Sequence, residues 1–273
     1  MNYKYSFPMT FINKAIYLSI FSIFSFSLIN AQNKVPFGVV KATEGYAMVR
    51  VHKEDYRKIV DKIRMKKGDV FVYVKPAPGE TDWIWIKYPE KGEIEKPFVR
   101  YDSLTKEGMV NKDRIAFIDQ LPQYTPTKSK NGKSIIFTDN NNPKIPTAQR
   151  SKVVIDIYPS NASYRKQEKD AAGNIKTIDK VKPWGIDKEL PQGMTEIKSI
   201  RVQQPGRGSV FVREAIKNMF QPTMDFENIG VTSIDDDHIF LYMINGSGAN
   251  RYTSLWTIKE GKVISQIIFK NPE

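Results

Sequence analysis

The chain has 273 residues, no cysteine, 42 Lys and Arg against 30 Asp and Glu, and a formal charge of +12. The missing thiols exclude disulfides, thiolate metal sites and thiol nucleophiles, so stability rests on apolar cores alone. The surplus charge is spread, with +2 on residues 1–32, +4 on 33–121 and +6 on 122–273. That is not the massed basic face of a nucleic-acid domain, and no nucleic-acid partner is expected; a mild positive field suits solubility or the polyanions of a cell envelope.

Residues 1–32 read as a signal peptide. Lys4 and Lys14 are its only charges, and both precede the apolar stretch Ala15–Ile29. That stretch is short and interrupted by serines, which argues against a membrane span. It ends at Asn30-Ala31-Gln32, where a small residue precedes polar chain, the pattern of a cleavage site. Cleavage after Gln32 is expected, giving an exported periplasmic or secreted protein with no membrane attachment. The alternative is an uncleaved N-terminal anchor. The remaining 241 residues (273 − 32) suffice for two small domains.

Residues 33–122 form the first expected domain. Gly45–Val51 alternates apolar and polar side chains, Lys66-Lys67-Gly68-Asp69 marks a turn, and Val70–Val74 follows as a strand. Asp82–Tyr88 alternates again, placing Trp83 and Trp85 on one face and Ile84 and Ile86 on the other. Gly108–Val110 and Asp113–Ile115 close the module. The order resembles the bacterial SH3-like (SH3b) family in Met48-Val49-Arg50, the basic-Gly-Asp turn Lys67-Gly68-Asp69, the tryptophan strand with Trp83 and Trp85, and Gly108-Met109-Val110. It covers about a third of the chain. The resemblance implies a small barrel that binds wall peptides or proteins. Three places depart from the family: Val51–Tyr56 replaces an Arg-Ser-Gly-Pro stretch, Met109 replaces a common tryptophan, and Glu90–Asp102 is a longer insertion. Tyr56, Trp83, Trp85, Tyr88 and Tyr101 are the candidate lining of an aromatic groove for a peptide or sugar. Packing residues of a small barrel are the alternative. Because Trp83 and Trp85 point the same way, one environment is expected for both.

Residues 123–133, polar and containing Pro126, read as a linker. Residues 134–273 read as an all-β C-terminal domain. Val153–Tyr158 is a strand. The runs Tyr164–Lys169 and Asn174–Asp179, Ile197–Val202 and Ser209–Val212, Ile229–Ile234 and His238–Ile244, and Tyr252–Ile258 and Val263–Phe269 each flank turn residues as hairpins. Arg213–Phe220 invites a short helix. His238–Ile244 is almost continuously apolar, as a strand covered on both faces would be. The expected fold is mainly β: a small SH3-like barrel followed by an antiparallel β-sandwich or β-roll.

Four features in this chain invite chemistry. Asp235-Asp236-Asp237-His238 supplies adjacent carboxylates, but calcium loops space their ligands and include glycine, so a solvated turn is expected. Asn245–Arg251 joins two core strands, and Ser247 with Arg251 is a candidate ligand contact. No helix follows it to complete a phosphate loop. Trp184, between Pro183 and Gly185, is either a loop anchor or a recognition aromatic. His52 and His238 are the only histidines and lie in different halves, which suits neither a zinc site nor a triad. No catalytic residue, metal or cofactor is assigned. The expected function is that of an envelope binding protein whose partner is a cell-wall peptide, a glycan or an envelope protein. The alternatives are a carboxylate-dependent glycan hydrolase, with two facing carboxylates about 5–10 Å apart, or an inhibitor or immunity-type protein.

Overall fold

Short alternating runs and glycine turns divide the chain into strands, and a computed structural model describes residues 35–52, 59–89, 99–207 and 213–270. The expected signal peptide, Tyr56 and Ser209–Val212 lie outside the described residues. The first half carries β1 (Phe37–Val40), β2 (Tyr46–His52), β3 (Ile59–Lys66), β4 (Val70–Pro76), β5 (Trp83–Tyr88), β6 (Val99–Tyr101), β7 (Lys106–Asn111) and β8 (Ile115–Phe117). The second carries β9 (Thr125–Lys128), β10 (Ser134–Thr138), β11 (Lys152–Pro159), β12 (Gln167–Lys169), β13 (Ile175–Ile178) and β14 (Thr195–Gln203). It ends with β15 (Ile229–Ser233), β16 (His238–Asn245), β17 (Tyr252–Lys259) and β18 (Lys262–Lys270). Helical structure among the described residues is confined to short 3-10 turns, so the protein is all-β.

The strands make a seven-stranded sheet in the order β3-β2-β7-β5-β4-β1-β8, a five-stranded sheet β15-β16-β17-β18-β6, a four-stranded sheet β14-β11-β10-β9 and the hairpin β12-β13. The first sheet curls over its own core, built from Val40, Ala47, Val49, Phe71, Ile84 and Ile86. It does not close into the expected barrel: among the described residues β3 and β8 stand at opposite ends of an open ladder. Two backbone N–H groups on β3, those of Lys62 and Lys66, are instead taken at 2.7 Å by the carboxylates of Asp61 and Asp69.

The five-stranded sheet is covered on both faces. One packs against the four-stranded sheet through Leu241, Met243, Trp256 and Ile258 facing Ile135, Phe137, Val153 and Ile155. The other carries Phe240, Tyr242, Ile244 and Leu255 against Phe37 and Val39 of β1 and Val70 of β4. Every residue of β16 is buried, as its continuous apolar run predicts. The two halves are thus continuous, and Val35–Glu273 forms one compact unit.

The segment 123–133 does not run free as a linker. Tyr124 is buried and its N–H donates to the Val231 carbonyl at 2.7 Å; Thr232 donates to the Pro122 carbonyl, and β9 pairs with β10. An apolar ring in a polar run is enough to hold the chain down on β15. β6 also crosses between the halves, pairing in parallel with β18. Arg100 secures it, donating to Gln266 at 2.7 Å and to the Glu214 and Lys217 carbonyls, and burial lowers its pKa. The helix expected over Arg213–Phe220 is only a 3-10 turn at Glu214–Ile216. Beyond it the chain reverses at Asn218 (φ 59°), whose carbonyl accepts the Trp184 N–H while the Phe220 N–H donates back to Trp184. Those backbone groups are engaged across the chain, so no helix can continue.

Candidate ligand-binding face

Strand parity decides what the seven-stranded sheet shows to solvent. Ala47 and Val49, Ile63 and Met65, Ile84 and Ile86, and Val110 all point into its core. Their alternates point the other way. Over β1 and β4 that second face is covered by the five-stranded sheet. Over β3, β2, β7 and β5 it carries a different set of side chains. One row across the strands reads Lys62, Arg50, Met109, Trp85 and Lys75. The neighbouring rows pair Trp83 with Asn111, Lys87 with Glu107, Arg64 with Met48 and Lys66 with Tyr46.

Two guanidinium groups lie on aromatic rings of this face. Arg50 sits 3.6 Å over Trp83, and Arg64 sits 4.2 Å over Tyr46. Arg50 is also paired with Glu80 at 3.2 Å. Next to it, the Trp85 indole N–H donates to Glu107 at 3.0 Å, and Lys87 meets the other oxygen of Glu107 at 3.1 Å. The Trp85 N–H, helped by Lys87, holds the Glu107 carboxyl below the usual carboxylate range. A ring quadrupole and a neighbouring carboxylate both favour the cation, so Arg50 is held flat with its N–H edge in reach of solvent.

The expected aromatic groove is not assembled. Trp83 and Trp85 do share a face, but not an environment. Trp85 is 5% exposed in a satellite cluster with Ala77 and Met109, whereas Trp83 is half-buried at the edge of that cluster under Arg50. Tyr88 has the parity of Ile84 and Ile86 and is buried in the sheet's own core. Tyr101 lies on β6 and packs against the core between the two large sheets. Trp184 is 2% exposed, with its ring 6.0 Å from Tyr252 and Lys182 above it at 4.2 Å; it anchors its loop. Ser247 and Arg251 are exposed on the β16–β17 loop, away from the row of strands that holds the tryptophans. The charged side chains of this face that sequence reading did not single out as candidates are Arg50, Lys62, Arg64, Lys66, Glu80 and Glu107. A signal for three of them was there: Lys62, Arg64 and Lys66 alternate with Ile63 and Met65.

Other polar clusters are engaged internally. The carboxylates of Asp235–Asp237 splay apart: Asp235 binds Lys67 and His238, each at 2.8 Å, and Asp237 pairs with Arg207. Among the described residues no group of three His, Asp or Glu could hold a metal ion. Glu196, 4% exposed, is held by Arg165, Ser160 and Tyr158. A recess of about 530 Å³ lies between Gln149, Arg150, Gln203, Gln204 and Arg207. No carboxylate lines it, and both arginines are committed, Arg150 to the Ile145 carbonyl and Asn140, Arg207 to Asp237. Comparison of the chain with protein-family models, with curated proteins and with solved structures finds no match.

Proposed function

We propose that this chain is an exported, non-enzymatic binding protein of a bacterial cell envelope. Its seven-stranded sheet acts as an SH3-like module that engages a wall peptide, a glycan or an envelope protein. The observation that carries this reading is the Arg50–Trp83–Glu80 arrangement on the part of the sheet face left uncovered by the five-stranded sheet. Stacking holds this cation in place beside a half-buried indole, and Trp and Arg are the residue types that most often anchor a binding surface. Among the described residues, the buried Glu196 and the part-buried Asp156 are bound to cations and hydroxyls rather than facing one another across a pocket, which supports binding over hydrolysis.

The test is co-sedimentation of the protein with purified peptidoglycan sacculi at low and high salt. Pelleting that survives salt and is lost in Trp83→Ala supports the reading. Pelleting that vanishes with salt and is the same in Trp83→Ala is non-specific charge and sinks the reading; no pelleting, followed by no capture of an envelope protein from envelope extract, sinks it too.

A further inference from the structure

We infer that the face of β3, β2, β7 and β5 that no other described sheet covers is a track for a linear acidic polysaccharide, with Arg50 exchanging Glu80 for a carboxylate of the ligand. The inference rests on the binding-protein reading above and names its ligand class.

The charge of this face is one-sided. Arg50, Lys62, Arg64, Lys66, Lys75 and Lys87 share it, against the carboxylates of Glu80 and Glu107. Lys62, Arg64, Lys66 and Lys75 are exposed. Adjacent strands set the backbone positions that carry these cations about 5 Å apart across the sheet, and alternate residues set them about 7 Å apart along β3. Cations spread over several strands of an open face suit an extended polymer with repeated charge better than a single small anion, which needs an enclosing pocket.

Two further observations choose among polymers. A peptide would dock most simply as an added strand on β3, the end of the ladder. The Lys62 and Lys66 N–H groups that such a strand needs are already bonded to Asp61 and Asp69, a common way of blunting an edge. The face, not the edge, is therefore the docking surface. Single-stranded nucleic acid would need open aromatic rings on which bases stack. Here Tyr46 and Trp83 each carry an arginine at 4.2 and 3.6 Å. What the face presents is the N–H edge of a guanidinium held flat, which matches a carboxylate by two parallel hydrogen bonds. Glu80 already occupies that edge at 3.2 Å as an internal surrogate. It is two-fifths exposed and sits in the β4–β5 turn, so a ligand carboxylate can take its place without disturbing the core.

The experiment is a titration of the full chain, purified from the compartment it reaches, with polygalacturonate, neutral dextran and single-stranded DNA at 0.15 M salt. Polygalacturonate is expected to bind and dextran not, with DNA weaker. Arg50→Ala is expected to weaken polygalacturonate binding about tenfold, the scale of one charge-assisted contact. Lys62→Ala/Arg64→Ala/Lys66→Ala is expected to weaken it further and flatten its salt dependence. Glu80→Gln is expected to tighten binding a few-fold, which general surface charge at a remote place would not produce. Thermal melts of each variant confirm that the fold is retained. DNA binding as tightly as polygalacturonate, or polygalacturonate affinity unmoved by Arg50→Ala and Glu80→Gln, overturns the inference. Salt-resistant pelleting with sacculi, without polygalacturonate binding, overturns this inference and leaves the binding-protein reading standing; loss of both removes both.

Discussion

Gly68 packs directly against the His238 ring. A Cβ built on Gly68 would lie 2.4 Å from Cδ2 and 2.6 Å from Nε2, and its backbone sits at φ +88°. The turn before β4 and the start of β16 therefore touch with no room for a side chain. Gly68→Ala is expected to lower stability by about 2 kcal/mol or more, from the left-handed backbone and the steric overlap together. Combining it with His238→Ala should restore the steric part and leave the backbone part, about 1 kcal/mol. Urea unfolding of the two single variants and the pair measures this; strict additivity would show that the contact is absent.

The same contact carries a charge clasp. Burial alone would raise the Asp235 carboxyl, but the Lys67 ammonium and the His238 ring outweigh it and bring it down to about 2. A folded value below the unfolded value of about 3.9 means that the stabilisation is complete above pH 4 and is lost as pH falls through 2. Solvent screening of this partly exposed pair trims its size to about 1 kcal/mol. Asp235→Asn should therefore reduce the melting temperature at pH 7 and shrink that deficit as the pH approaches 2. A pH-independent difference between the two proteins would contradict the assignment.

Trp83 and Trp85 should separate on mutation. Trp85→Ala removes a buried ring and leaves Glu107 without its indole donor, a loss of about 3–5 kcal/mol. Trp83→Ala leaves the core of the sheet intact and should cost about 1 kcal/mol, from the lost stacking with Arg50. Chemical denaturation checks the pair. Because only Trp83 alters the face without unfolding it, it is the variant to use in binding assays, and a double alanine variant would confound the two effects.

Glu196 sits at the centre of a polar node. Glu196→Ala would strand the Arg165 guanidinium, which also donates to Asn218 at 3.1 Å and is largely buried. A loss of about 3 kcal/mol is expected, because an uncompensated buried cation remains. Glu196→Gln keeps the acceptor for Ser160 or Tyr158 and should cost less. Hydrogen exchange should show the damage first in β12–β13, since Asn218 holds the Ile178 and Val181 carbonyls there. Unchanged exchange in that hairpin would argue that the node is local to β14.

Local pattern alone was enough for most strands. Alternation marks β2 and β5, glycine turns mark the start of β4, and the unbroken apolar run of His238–Ile244 marks a strand covered twice, because side-chain period and turn chemistry are properties of neighbouring residues. The same locality explains what was missed. Nothing near Val99–Tyr101 says that it pairs with β18, more than 160 residues away in sequence. Nothing near Tyr124 says that its ring will be buried and turn an expected linker into part of the packing on β15. Trp83 and Trp85 illustrate the limit most sharply. The sequence by itself placed both on one face; only the tertiary structure decided that Ala77 and Met109 would bury one and Arg50 would cap the other. Face is fixed by the two-residue repeat of the strand, whereas cover is fixed by partners brought from other strands, and no local pattern encodes them.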